Sequence, residues 1–61
     1  MSKLLRQDEV CEILGLRPST LENWRHLGKG PEFIKVGGAV RYDEAELRKW
    51  VESRRVEAGA R

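Results

Sequence analysis

Short polar side chains recur along one side of the stretch from Gly15 to Gly28. At 100° per residue of helix, Leu21 and Trp24 face one way, and the opposite side carries Ser19, Glu22, Asn23 and His26. Hydroxyl, carboxylate, amide and imidazole groups can form hydrogen bonds to base edges in the DNA major groove. A helix that follows a glycine turn and presents such a row is what a helix-turn-helix needs. The same pattern fits an ordinary amphipathic helix with a solvated face, and this stretch alone does not decide between them.

The sequence gives little support to catalytic or metal-binding chemistry. Cys11 is the only cysteine and His26 the only histidine, so the chain has no internal disulfide and no plausible zinc set. Without an evident acid–base partner, Cys11 is interpreted as a small buried residue between helices rather than as a reactive thiol. An enzyme is the least favoured class, and no cofactor is predicted. A lone thiol without a secretion signal or a long apolar run indicates the cytoplasm.

Positive charge is concentrated in the middle of the chain. The formal net charge is only +2 over 61 residues, which does not identify a nucleic-acid binder. Between Arg17 and Arg41, however, five cations face two anions, whereas the stretch from Asp8 to Glu12 holds three acids and no base. This distribution suits a domain with one side towards DNA. In so small a chain, the core is expected to come largely from the aromatic residues Trp24, Phe33, Tyr42 and Trp50.

Apolar spacing predicts a first helix over Gln7–Leu14, with Val10, Ile13 and Leu14 on its buried face. Leu4 and Leu5 are expected to form a brief extended segment that packs against the domain. Arg6 falls at the N-cap, where it is a poor residue, so this helix end is expected to fray.

The second helix is predicted over Pro18–Leu27, and its start has two interpretations. Pro18 suits the first helical position, which makes Arg17 the cap. Alternatively, Ser19 begins a capping box with Glu22, and its hydroxyl is then partly occupied. Gly28 suits the position just after the helix end.

Two β-prone runs, Phe33–Val36 and Ala39–Tyr42, flank Gly37-Gly38 and predict a hairpin whose turn requires positive φ. The expected cross-strand pairs are Val36 with Ala39, Lys35 with Val40, Ile34 with Arg41 and Phe33 with Tyr42. The aromatic face, with Phe33, Val40 and Tyr42, is expected to pack on the helices.

A third helix is predicted after the hairpin. Asp43 is a good cap, and Glu46 completes an Asp variant of the capping box. The three- and four-residue spacing of Leu47, Trp50 and Val51 marks the buried face. Residues 53–61 lose the apolar pattern and are expected to be a frayed helix end and a disordered tail. The fold class is therefore mainly α with a two-stranded β-hairpin, a winged helix-turn-helix over residues 4–52.

Several short motifs also occur together at fixed spacing from Leu4 to Val51. They are Leu4-Leu5, Glu9-Val10, Leu14-Gly15-Leu16, Thr20-Leu21, Trp24-Arg25, Gly28-Lys29-Gly30-Pro31, Phe33-Ile34-Lys35-Val36-Gly37, Val40-Arg41-Tyr42 and Leu47 through Trp50. Each is common alone, but the Trp-Arg, Gly-x-Gly-Pro, Lys-x-Gly and Arg-Tyr elements are fairly specific together. In these motifs the chain resembles the small MerR-like family, which includes phage excisionases (recombination directionality factors) and AlpA-type regulators.

The resemblance implies a winged helix-turn-helix whose second helix enters the major groove while the Gly37-Gly38 wing meets the backbone or the minor groove. It further implies that excisionases bind adjacent sites cooperatively, bend DNA and direct an integrase towards excision, here in a bacterial host cell. The chain departs from the family pattern at Arg6, where threonine is typical, and at Arg17, where serine is typical. Both changes weaken helix caps and add positive charge.

These arguments assign the expected contacts with double-stranded DNA. Base reading is expected from the polar row, in which Asn23 can pair with adenine, His26 can donate to guanine and Glu22 can accept from cytosine. Phosphate contacts are expected from Arg17, Thr20, Arg25 and Lys29, and wing contacts from Lys35, Gly37, Gly38 and Arg41.

Three functions remain open on the sequence alone. An excisionase that is monomeric when free and assembles along DNA is favoured, because one unit of this size specifies few base pairs. A small AlpA-type transcriptional regulator would use the same residues. A protein-interaction module with a basic face is the third, and it leaves the glycine-tipped wing unexplained. No contact with a membrane is expected.

Overall fold

A computed structural model describes residues 2–57 as three helices and three short strands. In chain order the elements are β1 (Leu4–Arg6), α1 (Gln7–Leu14), α2 (Pro18–His26), β2 (Ile34–Val36), β3 (Ala39–Asp43) and α3 (Glu44–Ser53). The bounds of α1 match the prediction, and α2 ends one residue earlier than predicted. Over the described range, none of the three helices has the length and apolar composition needed to cross a bilayer.

The strands form one antiparallel sheet in the order β1-β3-β2. The predicted pairs Val36–Ala39, Lys35–Val40 and Ile34–Arg41 are all present. The predicted pair of Phe33 with Tyr42 is not part of the ladder, because β2 begins at Ile34.

The sheet differs from the predicted two-stranded hairpin by one strand. β1 pairs with β3 in the register Leu4–Asp43, Leu5–Tyr42 and Arg6–Arg41. The predicted extended segment is therefore a third strand, and it supplies the support that a lone hairpin lacks in water. A strand of three residues is too short for its alternation to indicate a partner almost forty residues away.

Six side chains form the buried core, and they come from every element except β2: Leu5, Val10, Cys11, Leu21, Tyr42 and Leu47. Tyr42 and Val10 are fully buried, at 0% exposure. The interpretation of Cys11 as a buried packing residue is confirmed, and burial raises the pKa of its thiol, which keeps it protonated. Leu14, Trp24 and Val40 pack against this core and are only partly buried.

Some predicted core positions are exposed instead. Phe33 is 40% exposed, and all three residues of β2 that follow it are exposed as well, although its ring lies 6.4 Å from that of Tyr42. Ile13 on α1 and Val51 on α3 are 59% and 40% exposed. Helical spacing predicted that Ile13 and Val51 lie on the apolar faces of their helices. The neighbouring elements cover only part of each face, so these two side chains stay exposed.

The helix caps follow the sequence in part. Arg6 makes no capping bond with its side chain, but Glu9 Oε1 accepts from the Arg6 backbone N–H at 2.8 Å. The start of α1 is therefore held by its own third residue and by the strand before it, which compensates for the poor cap. Asp43 caps α3 as predicted and accepts from Ala45 and Glu46 N–H groups at 2.9 and 3.3 Å. The Glu46 carboxylate lies 3.5 Å from Lys49 instead of completing the box.

The last helix, α3, ends at Ser53, the first residue of the predicted frayed end. Residues 54–57 are not helical. The rest of the predicted tail, residues 58–61, lies outside the described residues.

The loop after α2 depends on a glycine at position 30. Gly30 has φ of +87°, and a Cβ there would lie 2.8 Å from Cε3 of Trp24. The backbone thus lies directly on the indole, with a conformation that L side chains rarely adopt. Gly38 differs in both respects, because its φ is not positive and open space surrounds the position of its Cβ. Only Gly37 of the predicted glycine pair uses positive φ, at +63°.

We expect Gly30→Ala to lower the free energy of unfolding by about 1–3 kcal/mol, from backbone strain and displacement of Trp24. Gly38→Ala is the matched control and should change it by less than about 0.5 kcal/mol. Urea unfolding followed by circular dichroism measures both. Equal stabilities of the two variants would contradict the close packing of the loop on Trp24.

The Asp43 cap predicts a specific dependence of stability on pH. Hydrogen bonds from the Ser2 hydroxyl, then from Glu46 and Ala45 N–H groups, hold the pKa of Asp43 below its usual range. A carboxylate with a lowered folded-state pKa stabilises the fold above its unfolded pKa, and this contribution disappears as pH falls through the folded pKa. Asp43→Asn keeps a good capping residue but removes the titration. The variant should therefore lose less stability than the parent between pH 7 and about pH 3, and identical losses in urea titrations would refute this.

Candidate nucleic-acid interface

The polar row of α2 lies on the outside of the domain. Ser19, Glu22, Asn23 and His26 are all exposed, while Leu21 on the opposite side is 1% exposed. Thr20 lies at the boundary and is half-buried. One edge of a nine-residue helix therefore presents four hydrogen-bonding side chains to the solvent.

The start of α2 favours one of the two predicted caps. Arg17 has extended backbone angles and occupies the N-cap, and Pro18 is the first helical residue. Backbone N–H groups of Thr20 and Leu21 donate to the Arg17 carbonyl at 3.0 and 3.3 Å. Ser19 thus lies inside the helix and does not cap it. Its exposed hydroxyl and the exposed Arg17 side chain both lie at the positive end of the helix dipole, where anions are favoured.

A chain of hydrogen bonds runs from the sheet to the polar row. Arg25 Nη1 donates to Tyr42 Oη at 2.9 Å and to Gln7 Oε1 at 2.7 Å. Gln7 Nε2 in turn donates to Glu22 Oε2 at 3.0 Å. The Arg25 guanidinium also lies 5.8 Å from the centre of the Phe33 ring. Glu22, on the exposed polar row, is therefore linked to α1 through Gln7 and to the sheet through Arg25.

This series of hydrogen bonds changes the expected role of Arg25. The sequence predicted a side chain that reaches outward to a phosphate, but the structure places it half-buried between α2, α1 and the sheet. One guanidinium nitrogen makes both hydrogen bonds, so Arg25 first of all fixes the angle of α2 to the sheet. Gln7 was not singled out from the sequence, because nothing local indicates contacts that span 15 and 18 residues. A buried tyrosine hydroxyl does signal that a partner is needed.

The two predicted wing cations do not lie together. Lys35 pairs with Val40, and Arg41 pairs with Ile34, so the register places Lys35 and Arg41 on opposite faces of the hairpin. Lys35 is exposed, as are Gly37 and Gly38 at the tip. Arg41 is half-buried and donates from Nη1 to the Val40 carbonyl at 2.8 Å. The wing thus offers one extended cation on the face that also carries Val40 and Tyr42.

Lys29 follows the end of α2 directly. Its backbone N–H donates to the Trp24 carbonyl at 2.9 Å, and its side chain is exposed. Cations therefore lie at both ends of α2, with Arg17 before it and Lys29 after it. Among residues 2–57, no group of three or more metal-ligating side chains converges.

The hydrogen bond between Arg25 and Tyr42 yields a stability prediction. Tyr42→Phe should lower the free energy of unfolding by about 1–2 kcal/mol, because a charged group loses a buried acceptor while the ring packing is kept. Ser53→Ala removes an exposed hydrogen bond to the Trp50 carbonyl and is the control, with an expected change below about 0.5 kcal/mol. Chemical unfolding measures both, and a Tyr42→Phe variant as stable as the parent would remove Arg25 from its bracing role.

Comparison with known proteins gives one match over most of the chain. A family model described as helix-turn-helix domain matches residues 4–55, which includes every element of the structure. No curated protein matches the chain. The matched range begins with β1 and ends just beyond α3, so the family covers the whole structural unit and not only the two central helices. Membership of such a family implies DNA binding, and on this match and this geometry the chain belongs to the helix-turn-helix domain family.

Proposed function

We propose that this protein binds double-stranded DNA sequence-specifically, with α2 in the major groove. The observation that carries the proposal is the exposed edge of Ser19, Glu22, Asn23 and His26 on a helix whose other side is packed into the core. The groove is wide enough for a helix, and side chains of these types distinguish base pairs by their hydrogen-bonding pattern. Cations at both ends of the helix support this placement, because the phosphate backbones border the groove.

Each side chain of the reading edge has a distinct proposed role. Asn23 forms a bidentate pair with adenine, and His26 donates to a guanine edge. Glu22 accepts from a cytosine amino group, and its bond to Gln7 supports this role by fixing its orientation. Because a carboxylate also repels phosphates, Glu22 raises selectivity more than affinity.

The cations are proposed to set the register on the DNA. Arg17, Thr20 and Lys29 contact phosphates beside the two ends of α2. Lys35 contacts the backbone or the minor groove beside the wing, where Gly37 and Gly38 permit close approach. Arg25 and Arg41 are each held by one guanidinium nitrogen to protein oxygens, so any phosphate contact uses their remaining nitrogens.

For the biological role, we propose an excisionase that assembles along attachment-site DNA, bends it and directs an integrase towards excision in a bacterial cytoplasm. A single unit of this kind buries only about 600–1,000 Å² and specifies few base pairs, so several copies are needed on one site. Exposed hydrophobic side chains on two sides, Ile13 and Val51 on one and Ile34 and Val36 on the other, support contacts between unlike surfaces of neighbouring copies. The protein is proposed to be monomeric when free.

An AlpA-type transcriptional regulator is the second candidate, since it would use the same reading edge and wing. An in vitro recombination assay separates the two. An excisionase raises the yield of integrase-catalysed excision on a supercoiled substrate, whereas a regulator represses or activates a promoter without that effect. A module that binds an acidic protein is less favoured, because it would not need a wing with glycines at its tip.

The proposal is tested on a site selected from random duplexes by this protein. Asn23→Ala should weaken binding to the selected site by about 1–3 kcal/mol and leave binding to random DNA nearly unchanged, because only a base contact is lost. Arg48→Ala on α3 is the control, since it removes an exposed cation away from the reading edge. Gel-shift titrations give all the affinities. Equal losses on both DNAs would take Asn23 out of the reading edge, and no selection of any site would overturn the proposal.

Self-association is tested separately by sedimentation of the protein with and without the selected DNA. We expect a monomer in free solution and several copies on one duplex. A stable dimer without DNA would contradict assembly along the DNA.

A further inference from the structure

An aromatic cleft lies between the end of α2 and the end of α3. It has a volume of about 310 Å³ and is lined by Trp24, Lys29, Gly30, Trp50 and Arg54, the residues that define what we call the tryptophan cleft. The indole rings of Trp24 and Trp50 have centroids 5.9 Å apart and are tilted by 52°. These are the only two tryptophans of the chain. Because the two indole rings form most of the wall of the cleft, that wall is rigid and apolar.

Both charged residues in the tryptophan cleft are cations. The Arg54 guanidinium lies 5.2 Å from the centre of the Trp50 ring, and Lys29 projects from the opposite side. Among residues 2–57, the ion pairs involve Arg6, Lys49 and Arg55, and neither Lys29 nor Arg54 takes part. Trp50 also carries a buried indole N–H without a hydrogen-bond partner in the described part of the chain. The cleft thus offers two unpaired cations and, among its described lining residues, no acceptor side chain, while the Trp50 N–H is buried behind its wall.

The fold holds the two cations in place from both sides. Gly30 lies against Trp24, and the Lys29 N–H donates to the Trp24 carbonyl, so the loop that carries Lys29 is fixed to α2. Arg54 follows the last residue of α3, and its N–H donates to the Val51 carbonyl at 3.0 Å. The backbone on each side of the cleft is therefore held before a ligand binds, whereas both cationic side chains are exposed.

The neighbouring grooves differ in that each has carboxylates among its lining residues. The groove between α1 and α3 has Glu44 and Glu52 beside Arg48, and the one beside β1 and α1 has Asp8, Glu9 and Glu12 beside Lys3 and Arg6. The adjoining groove, which shares Lys29 with the cleft, has Glu32 beside Arg25. Carboxylates in those grooves repel anions. The tryptophan cleft is free of them, so charge complementarity favours an anionic occupant there.

From these contacts we infer that the tryptophan cleft binds a backbone phosphate of the same duplex, outside the base pairs that α2 reads. Lys29 is three residues beyond His26, the last residue of α2, so the cleft opens at the end of the helix that borders the backbone. Arg54 and Lys29 bind the phosphate oxygens, and the two indoles exclude water from the contact. The inference rests on the proposed DNA binding and adds α3, through Arg54, to the DNA-contacting elements.

The test compares two single variants of the full chain with equal changes in charge. Arg54→Gln removes the cation that only the cleft assigns to DNA, and Arg48→Gln removes an exposed cation of α3 outside the cleft. The probe is a fluorescein-labelled mixed-sequence duplex of about two helical turns. Anisotropy titrations at salt concentrations between about 50 and 200 mM give the slope of log K against log salt.

We expect the slope of the cleft variant to be shallower than that of the parent by about 0.9, because the loss of one phosphate contact removes about that much from it. The control variant should keep the parent slope to within about 0.5. If the cleft variant keeps the parent slope, or both variants lose it equally, the phosphate site is refuted while DNA binding stands. If the parent itself shows no salt-dependent binding, the proposed function fails together with the inference.

Tryptophan fluorescence gives a second readout that reports on the cleft directly. Acrylamide quenching of the parent should fall on saturation with the duplex, because Trp24 and Trp50 become covered. The cleft variant, saturated at low salt, should be quenched as strongly with the duplex as without it. Unchanged quenching of the saturated parent would show that the phosphate does not occupy the cleft.

Discussion

The rest of the structure depends on the hydrogen bond between Arg25 of α2 and Tyr42 of β3, the central strand of the sheet. Tyr42 is fully buried and pairs with Leu5 of β1, while Arg25 belongs to α2. The recognition helix is therefore braced directly against the central strand of the sheet, and that strand is also one side of the wing. Any tilt of α2 would break a charged hydrogen bond inside the domain, which costs more than the loss of a neutral one. Helix and wing consequently form one rigid surface.

The same bracing extends through Gln7 to Glu22 on the exposed edge of α2. A glutamate on a helix surface normally samples several rotamers, and binding must restrict them at a cost in entropy. Here the Gln7 amide donates to one carboxylate oxygen and leaves the other without a partner in the described residues. In the proposed complex, such pre-organisation would increase discrimination, because a wrong base could not be accommodated by a simple rotation of the side chain. The proposal thus gives the N-terminal turn of α1 a part in base selection, although this turn touches no base.

Local patterns predicted the elements well, and long-range contacts account for what they missed. The bounds of α1 and the hairpin register follow from side-chain periods of 3.6 and 2, which the sequence displays directly. The third strand and the chain from Tyr42 to Glu22 depend on residues that meet only after folding. Exposure of Phe33 shows the same limit, since Phe33 and all of β2 stay exposed and the local pattern does not indicate which strand the helices cover. The reading edge was predictable because it lies within one helix, whereas the tryptophan cleft required two helix ends to meet.

So small a core imposes a double role on the residues around it. With six side chains in the core cluster, Trp24 and Arg25 must complete the packing as well as border the proposed DNA surface. Substitution of either therefore changes stability and affinity together, and a loss of binding alone cannot assign them a contact. The salt dependence separates the two effects, because unfolding lowers the active fraction at every salt concentration but leaves the number of displaced counterions per bound molecule unchanged. In a domain of this size, the slope is consequently a better measure of a phosphate contact than the affinity.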